Sequence, residues 1–182
     1  QISPTRTVSP TVGVTPTVQL SPVPTTVPSS EPIAKLNILN PVGKVYITNP
    51  FNGNRKLAKA GDVLYIGSRV ETEGVQTEIE FKNGSVTRLD VNSSITLAGD
   101  QSKKFDIRVL LDAGRIWSRI KKLTGNEESY GTQTESMVAT VRGTSYGHEK
   151  LLQNGEIVDK IITTEGSVEG QCFEKGTQRI RQ

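Results

Sequence analysis

The 182 residues include only one cysteine, Cys172, and one histidine, His148, so thiol and imidazole chemistry has little to build on. A lone cysteine closes no intrachain disulfide. Lying in a stretch that alternates apolar and polar, Cys172 reads as a small packing residue. A single histidine excludes a histidine-based metal cluster built from this chain alone. A hydroxyl–histidine or thiol–histidine pair would need His148 beside Ser145 or Cys172, and neither lies in a nucleophile elbow. The expectation is no catalytic residue, no metal and no cofactor. Aromatics are also scarce, at 5%, and the net charge is only +3. The densest basic cluster, Arg115, Arg119, Lys121 and Lys122, encloses one aromatic, Trp117. Nucleic-acid binders carry a basic stripe with stacking rings, so this cluster reads as a solvated face. No run of 18 apolar residues is present, which excludes a spanning helix. There is also no signal pattern at the start. Because the first residue is Gln1, the chain is read as a processed or excised ectodomain with its anchor outside it.

Two local motifs fail on inspection. Asp90-Val91-Asn92-Ser93-Ser94 opens like a calcium loop, but Ile95 stands where the sharp turn needs glycine. Gly143-Thr144-Ser145-Tyr146-Gly147 has the glycines of a phosphate loop without its lysine or helix.

Proline is abundant, but unevenly placed. Seven of the nine prolines fall in the first 32 residues, and Pro4, Pro10, Pro16, Pro22 and Pro28 recur every six. Proline holds φ near the polyproline II value, and three residues per turn align a six-residue period along one side. Segments this poor in large apolar groups do not repay the entropy of folding. Residues 1–32 are therefore expected to form a disordered Pro/Thr/Ser-rich linker, reaching on the order of 100 Å if extended. Such a stalk holds a module clear of a wall or membrane; the alternative reading is a cytosolic interdomain linker.

From residue 33 to 182 the pattern is of short strands. Gly43-Lys44-Val45-Tyr46-Ile47-Thr48 begins the series, and Val63-Leu64-Tyr65-Ile66 reads as a short buried strand. Gln76 to Lys82 alternates, with Ile79 and Phe81 opposite Glu78 and Glu80. Asn83-Gly84 follows, then Val86 to Val91, a strong hairpin signal. Met137, Ala139 and Val141 alternate with Val138, Thr140 and Arg142, and Gln153-Asn154-Gly155 marks another hairpin before Ile157 to Thr164. Phe105 to Leu123 fits either a helical stripe or strands. Gly114 would cost a helix interior about 1 kcal/mol, so strand–turn–strand about Asp112-Ala113-Gly114 is the reading preferred.

Glycine, a polar residue, then Val or Ile recurs at Gly43, Gly61, Gly84, Gly114, Gly155 and Gly166. The spacings are 18, 23, 30, 41 and 11, so no fixed repeat builds a propeller or regular solenoid. The fold class expected from the pattern is all-β, a single meandering antiparallel domain.

Between Gly61 and Val168 the chain resembles the FecR domain family. Val141-Arg142-Gly143-Thr144-Ser145-Tyr146 matches its Val-Arg-Gly-Thr-x-aromatic signature. In order around it stand Leu57 to Ser68, Asn83-Gly84-Ser85, Asn92 to Leu97, Leu110 to Ile120 and Thr164 to Val168. The resemblance implies a non-enzymatic all-β envelope module, solenoid-like or jelly-roll-like, which in the family's namesake relays receptor occupancy to a sigma factor. It makes Arg142, Gly143, Thr144, Gly84, Gly114 and Gly166 family-motif positions. The residues themselves read as structural: Gly143 breaks a strand, Arg142 caps carbonyls or pairs with an acid, and Thr144 restarts pairing. Trp117, Tyr146 and Arg142 are the positions for partner contact. The partner expected is an envelope protein or glycan, not nucleic acid, with any membrane contact through an anchor outside the chain. The competing expectation is an adhesin or carbohydrate-binding module stacking sugars on Trp117, Tyr130 and Tyr146.

Overall fold

A computed structural model describes residues 30–39 and 42–173, all of them strand, turn or loop. Most of the Pro/Thr/Ser-rich linker expected at 1–32 lies outside the described residues. Its last residues are already docked, Glu31 against Lys82, with its carbonyl accepting from the Gln101 amide at 2.9 Å.

Among the described residues fourteen strands follow one another: β1 Ala34–Ile38, β2 Lys44–Thr48, β3 Arg55–Leu57, β4 Val63–Leu64, β5 Arg69–Glu73, β6 Thr77–Phe81 and β7 Val86–Leu89. After them come β8 Ser94–Gly99, β9 Phe105–Arg119, β10 Glu128–Gln133, β11 Met137–Val141, β12 Ser145–Gln153, β13 Glu156–Glu165 and β14 Val168–Cys172. They form one curled sheet that folds into two facing layers. One layer runs β4-β1-β6-β7-β9-β12-β13, the other β3-β2-β5-β8-β9-β10-β11-β14. Every pairing is antiparallel except β9 with β10. The fold is the expected all-β class, a single sheet curled into a half-barrel.

The 15-residue strand β9 belongs to both layers. Its first half pairs with β8 and β10, its second with β7 and β12. This corrects the strand–turn–strand expectation. Asp112-Ala113-Gly114 does not reverse the chain, because each half of β9 finds its own pair of neighbours without a reversal. Gly114 instead takes φ +86° in a bulge, opposite a register shift between Ser94 and Ile95. Ser93 Oγ pins the bulge, accepting from the Arg115 amide and donating to the Arg115 carbonyl, both at 3.0 Å.

Alternation decides which residues face inward. Thr77, Ile79 and Phe81 of β6 are buried while Glu80 is exposed. The Asn83-Gly84 hairpin forms as expected, with Phe81 and Ser85 closing the turn and Asn83 Oδ1 accepting from the Ser85 amide at 2.9 Å. The Asn154-Gly155 turn also forms, both residues at positive φ as a two-residue hairpin requires. Val63 to Ile66 yields only the two-residue edge strand β4, with Val63 exposed. An edge strand this short buries one face alone. Between the layers Phe81 meets Phe105 and Tyr130 edge-on, and the Tyr130 hydroxyl crosses to Thr87 (2.6 Å) and Ser118 (3.0 Å). Burial pushes the Tyr130 phenol up to about 12.

Candidate binding groove on the outer face

The family-motif residues lie where the chain changes layer. Val141 ends β11 and Ser145 begins β12 in the other layer, so Arg142-Gly143-Thr144 is the crossing. Gly143 takes φ +124°, and a Cβ there would stand 2.9 Å from Lys122 Cα. The return crossing, β13 to β14, runs through Gly166 at φ +81°. A Cβ on Gly166 would meet the Gly143 carbonyl oxygen at 2.8 Å, and Thr144 Oγ1 donates to the Ser167 carbonyl at 2.8 Å. The two crossings are locked together. Ile120 and Leu123 amides donate to the Thr144 and Arg142 carbonyls, tying both to the end of β9. Gly84 is the hairpin turn under the Lys121 side chain, and Gly114 is the β9 bulge.

Several expectations change here. Arg142 neither caps a carbonyl nor pairs with an acid: its side chain is exposed and has no partner among the described residues. Tyr146 is fully buried, its hydroxyl donating to Thr132 at 3.3 Å, so it offers no surface for a partner. Tyr130 is equally buried, which removes the three-ring stacking platform. Cys172, expected to pack, is exposed on β14, a strand paired only with β11.

His148 lies in company that sequence reading missed. Its Nδ1 stands 2.7 Å from Thr132 Oγ1, and its Nε2 faces Asp159 Oδ1 at 3.7 Å. Asp159 Oδ2 accepts from Thr134 Oγ1 at 2.7 Å and from Ser136 Oγ. Burial pushes the Asp159 carboxyl up, but His148, Ser136 and Thr134 outweigh it, and the net direction is down. Hydroxyl, imidazole and carboxylate thus stand in a row. Thr132 and His148 are wholly buried, so no substrate reaches them. The row joins the β12–β13 hairpin to the β10–β11 turn.

The open site is on the outer face of β7, β9, β12 and β13. Register places Glu78, Arg88, Trp117, Gly147 and Ile162 side by side across five strands. Trp117 is 36% exposed. Its indole lies over Gly147, where a Cβ would stand 2.8 Å from Cε3 and 3.0 Å from Cζ3, so only glycine lets the ring settle. Beside it runs a chain of polar groups. Gln76 Nε2 donates to Asp90 Oδ1 at 2.7 Å, and Arg115 Nε donates to Asp90 Oδ2 at 2.8 Å. Arg115 Nη1 reaches Glu149 Oε1 at 2.8 Å. Burial raises Asp90, but the bonds from Gln76, Arg115 and the Val91 amide outweigh it and hold its carboxyl below the usual range. Arg115 is raised by Asp90 and then by Glu149. These groups, with Ile116, Ile162 and Arg88, line a groove of about 290 Å³. The sequence offered Trp117 as a candidate contact residue and the structure leaves its ring exposed; Gly147 and Glu149 were not legible, since only the β9–β12 register brings them to it.

The model for the family described as FecR protein matches residues 68–169. The match runs from the loop before β5 into β14, covering both crossings and the groove-bearing strands. No curated protein and no solved structure matches the chain. An all-β module of one curled sheet, its two layers joined by locked crossings, is the class the fold defines. The chain belongs to the FecR family, a regulatory and signalling family, as its Val141 to Tyr146 signature implied. Proteins of this family are typically membrane-associated with periplasmic domains. Among the described residues, no helix is long and apolar enough to cross a membrane.

Proposed function

We propose that this chain is the non-enzymatic, extracytoplasmic recognition module of a membrane-anchored FecR-type protein. It binds or senses an envelope component in signalling or envelope organisation. The observation that carries this reading is the outer-face groove: its single tryptophan rests on a glycine, and its charged groups are already bonded to one another. A site organised in advance on rigid strands loses little entropy when it binds. The buried His148–Asp159 row supports the same reading, because this cluster, which resembles catalytic machinery, is sealed. The proline-rich segment ahead of the domain is the kind of spacer that displays a module away from a surface.

Co-sedimentation of the purified chain with isolated bacterial envelopes tests the reading. Binding is expected to saturate, to fall with Trp117→Ala, and to survive Leu57→Ala, an exposed position on β3 in the other layer. Absence of sedimentation, or equal sedimentation by both variants, would overturn it.

A further inference from the structure

The groove beside Trp117 has features that narrow its ligand. Two guanidiniums, Arg88 and Arg115, face two carboxylates, Asp90 and Glu149, so the lining has no net charge. Arg88 is paired in addition with Glu78 at 3.1 Å, and Arg115 with both groove carboxylates. An anion would have to displace carboxylates from these guanidiniums, and a cation would meet the guanidiniums themselves. Directional donors and acceptors are nevertheless dense. Glu149 is the telling residue: its side chain is only 8% exposed. One oxygen takes the Arg115 bond, while the other has no hydrogen-bond partner among the described residues and is not sealed off. A carboxylate so nearly buried, with an acceptor left over beside an aromatic ring, is placed to take a hydroxyl from a ligand. The volume is near the lower end of small-molecule clefts, roughly 300–1,000 Å³.

We infer that this groove binds a neutral pyranose unit of a glycan, stacked on Trp117 with its hydroxyls held by the spare Glu149 oxygen and the remaining N–H groups of Arg115. Sugar rings have an apolar C–H face and a polar hydroxyl edge, which matches an indole flanked by bonded charges. This inference rests on the proposed envelope-binding function and specifies its ligand.

Trp117 is the only tryptophan in the chain, so its fluorescence reports on this site alone. Titration with cellotetraose, maltotetraose and chitotetraose is expected to shift the emission saturably for at least one of them, while an acidic heparin tetrasaccharide does not. Calorimetric titration should show Trp117→Ala and Glu149→Gln each weakening binding by about tenfold or more. Gly147→Ala, which displaces the indole, should weaken it comparably, all three variants keeping the wild-type far-UV spectrum. Glucose alone is expected to bind more weakly than the tetraose if a polymer is the natural source, and equally if free sugar is. No neutral saccharide binding at millimolar concentration, a preference for the acidic one, or indifference to all three substitutions would overturn the inference. Envelopes stripped of protein by protease separate this inference from the function it rests on. Sedimentation that depends on Trp117 and survives the protease supports a glycan. Trp117-dependent sedimentation abolished by protease retires the glycan and leaves the recognition function standing.

Discussion

Gly143 has a positive φ and a neighbour's Cα where a side chain would begin, so it faces both backbone strain and a backbone clash. Gly143→Ala is expected to lower stability by about 2–4 kcal/mol in denaturant unfolding. Arg142→Ala, one residue away, should change it by less than about 0.5 kcal/mol, because the side chain is exposed and has no hydrogen-bond or ion-pair partner among the described residues. Glu128 gives a pH signature. Its carboxyl bonds Lys104 Nζ (2.7 Å) and the amides of Thr124 (2.9 Å) and Gly125 (3.1 Å). The Lys104 bond foremost, then the two amides, lower it from 4.5 to about 2. A carboxylate depressed on folding stabilises above its unfolded value and loses that contribution as pH falls through the folded one. The melting temperature of Glu128→Gln should therefore lie below wild type at pH 7, and the two curves should converge between pH 4.5 and about 2. At this scale the signature glycine and threonine were legible, because turn chemistry is local. The His148–Asp159 row was less so. Folding the hairpin about Asn154-Gly155 places His148 opposite Ile161 and Lys150 opposite Asp159. Asp159 is then diagonal to His148, but nothing local announces the Thr132, Thr134 and Ser136 hydroxyls that arrive from the other layer.

Among the elements, β9 is the one whose character depends on a single bulge. Its inward residues are odd-numbered through Phe105, Ile107, Val109 and Leu111, then even-numbered at Ile116 and Ser118. That change of parity across Gly114 is the mark of one inserted residue, and it is visible in the sequence. What was not visible is that each half would find two neighbours, which makes a continuous strand better than a reversal. Ser93→Ala removes the hydroxyl that satisfies the Arg115 amide and carbonyl at the bulge. A loss of about 2–3 kcal/mol is expected, together with faster hydrogen exchange at the Arg115 amide. Unchanged exchange there would mean that Gly114 alone holds the bulge. The Asn83-Gly84 and Asn154-Gly155 hairpins followed directly from their turn residues. The parallel contact of β10 with β9 did not, since it pairs strands through no tight turn.

For the whole molecule, a shared strand and paired crossings join the two layers into one cooperative body. Calorimetric and van't Hoff enthalpies of unfolding should agree, giving one transition by every probe. A separate early transition of the β12–β13 hairpin would show that the His148–Asp159 row and the Thr144–Ser167 bond fail to couple it. The same connectivity bears on how the domain takes mechanical load. Whatever holds the chain ahead of Glu31 pulls into β1, an interior strand flanked by β4 and β6. Antiparallel ladder bonds run perpendicular to the strands, so tension along β1 shears its five residue pairs with β6 together instead of unzipping them singly. Behind β6 stand β7 and then β9, which hands the load to both layers at once. The domain would move as a rigid body under tension, and the outer-face groove would keep its shape while it did so.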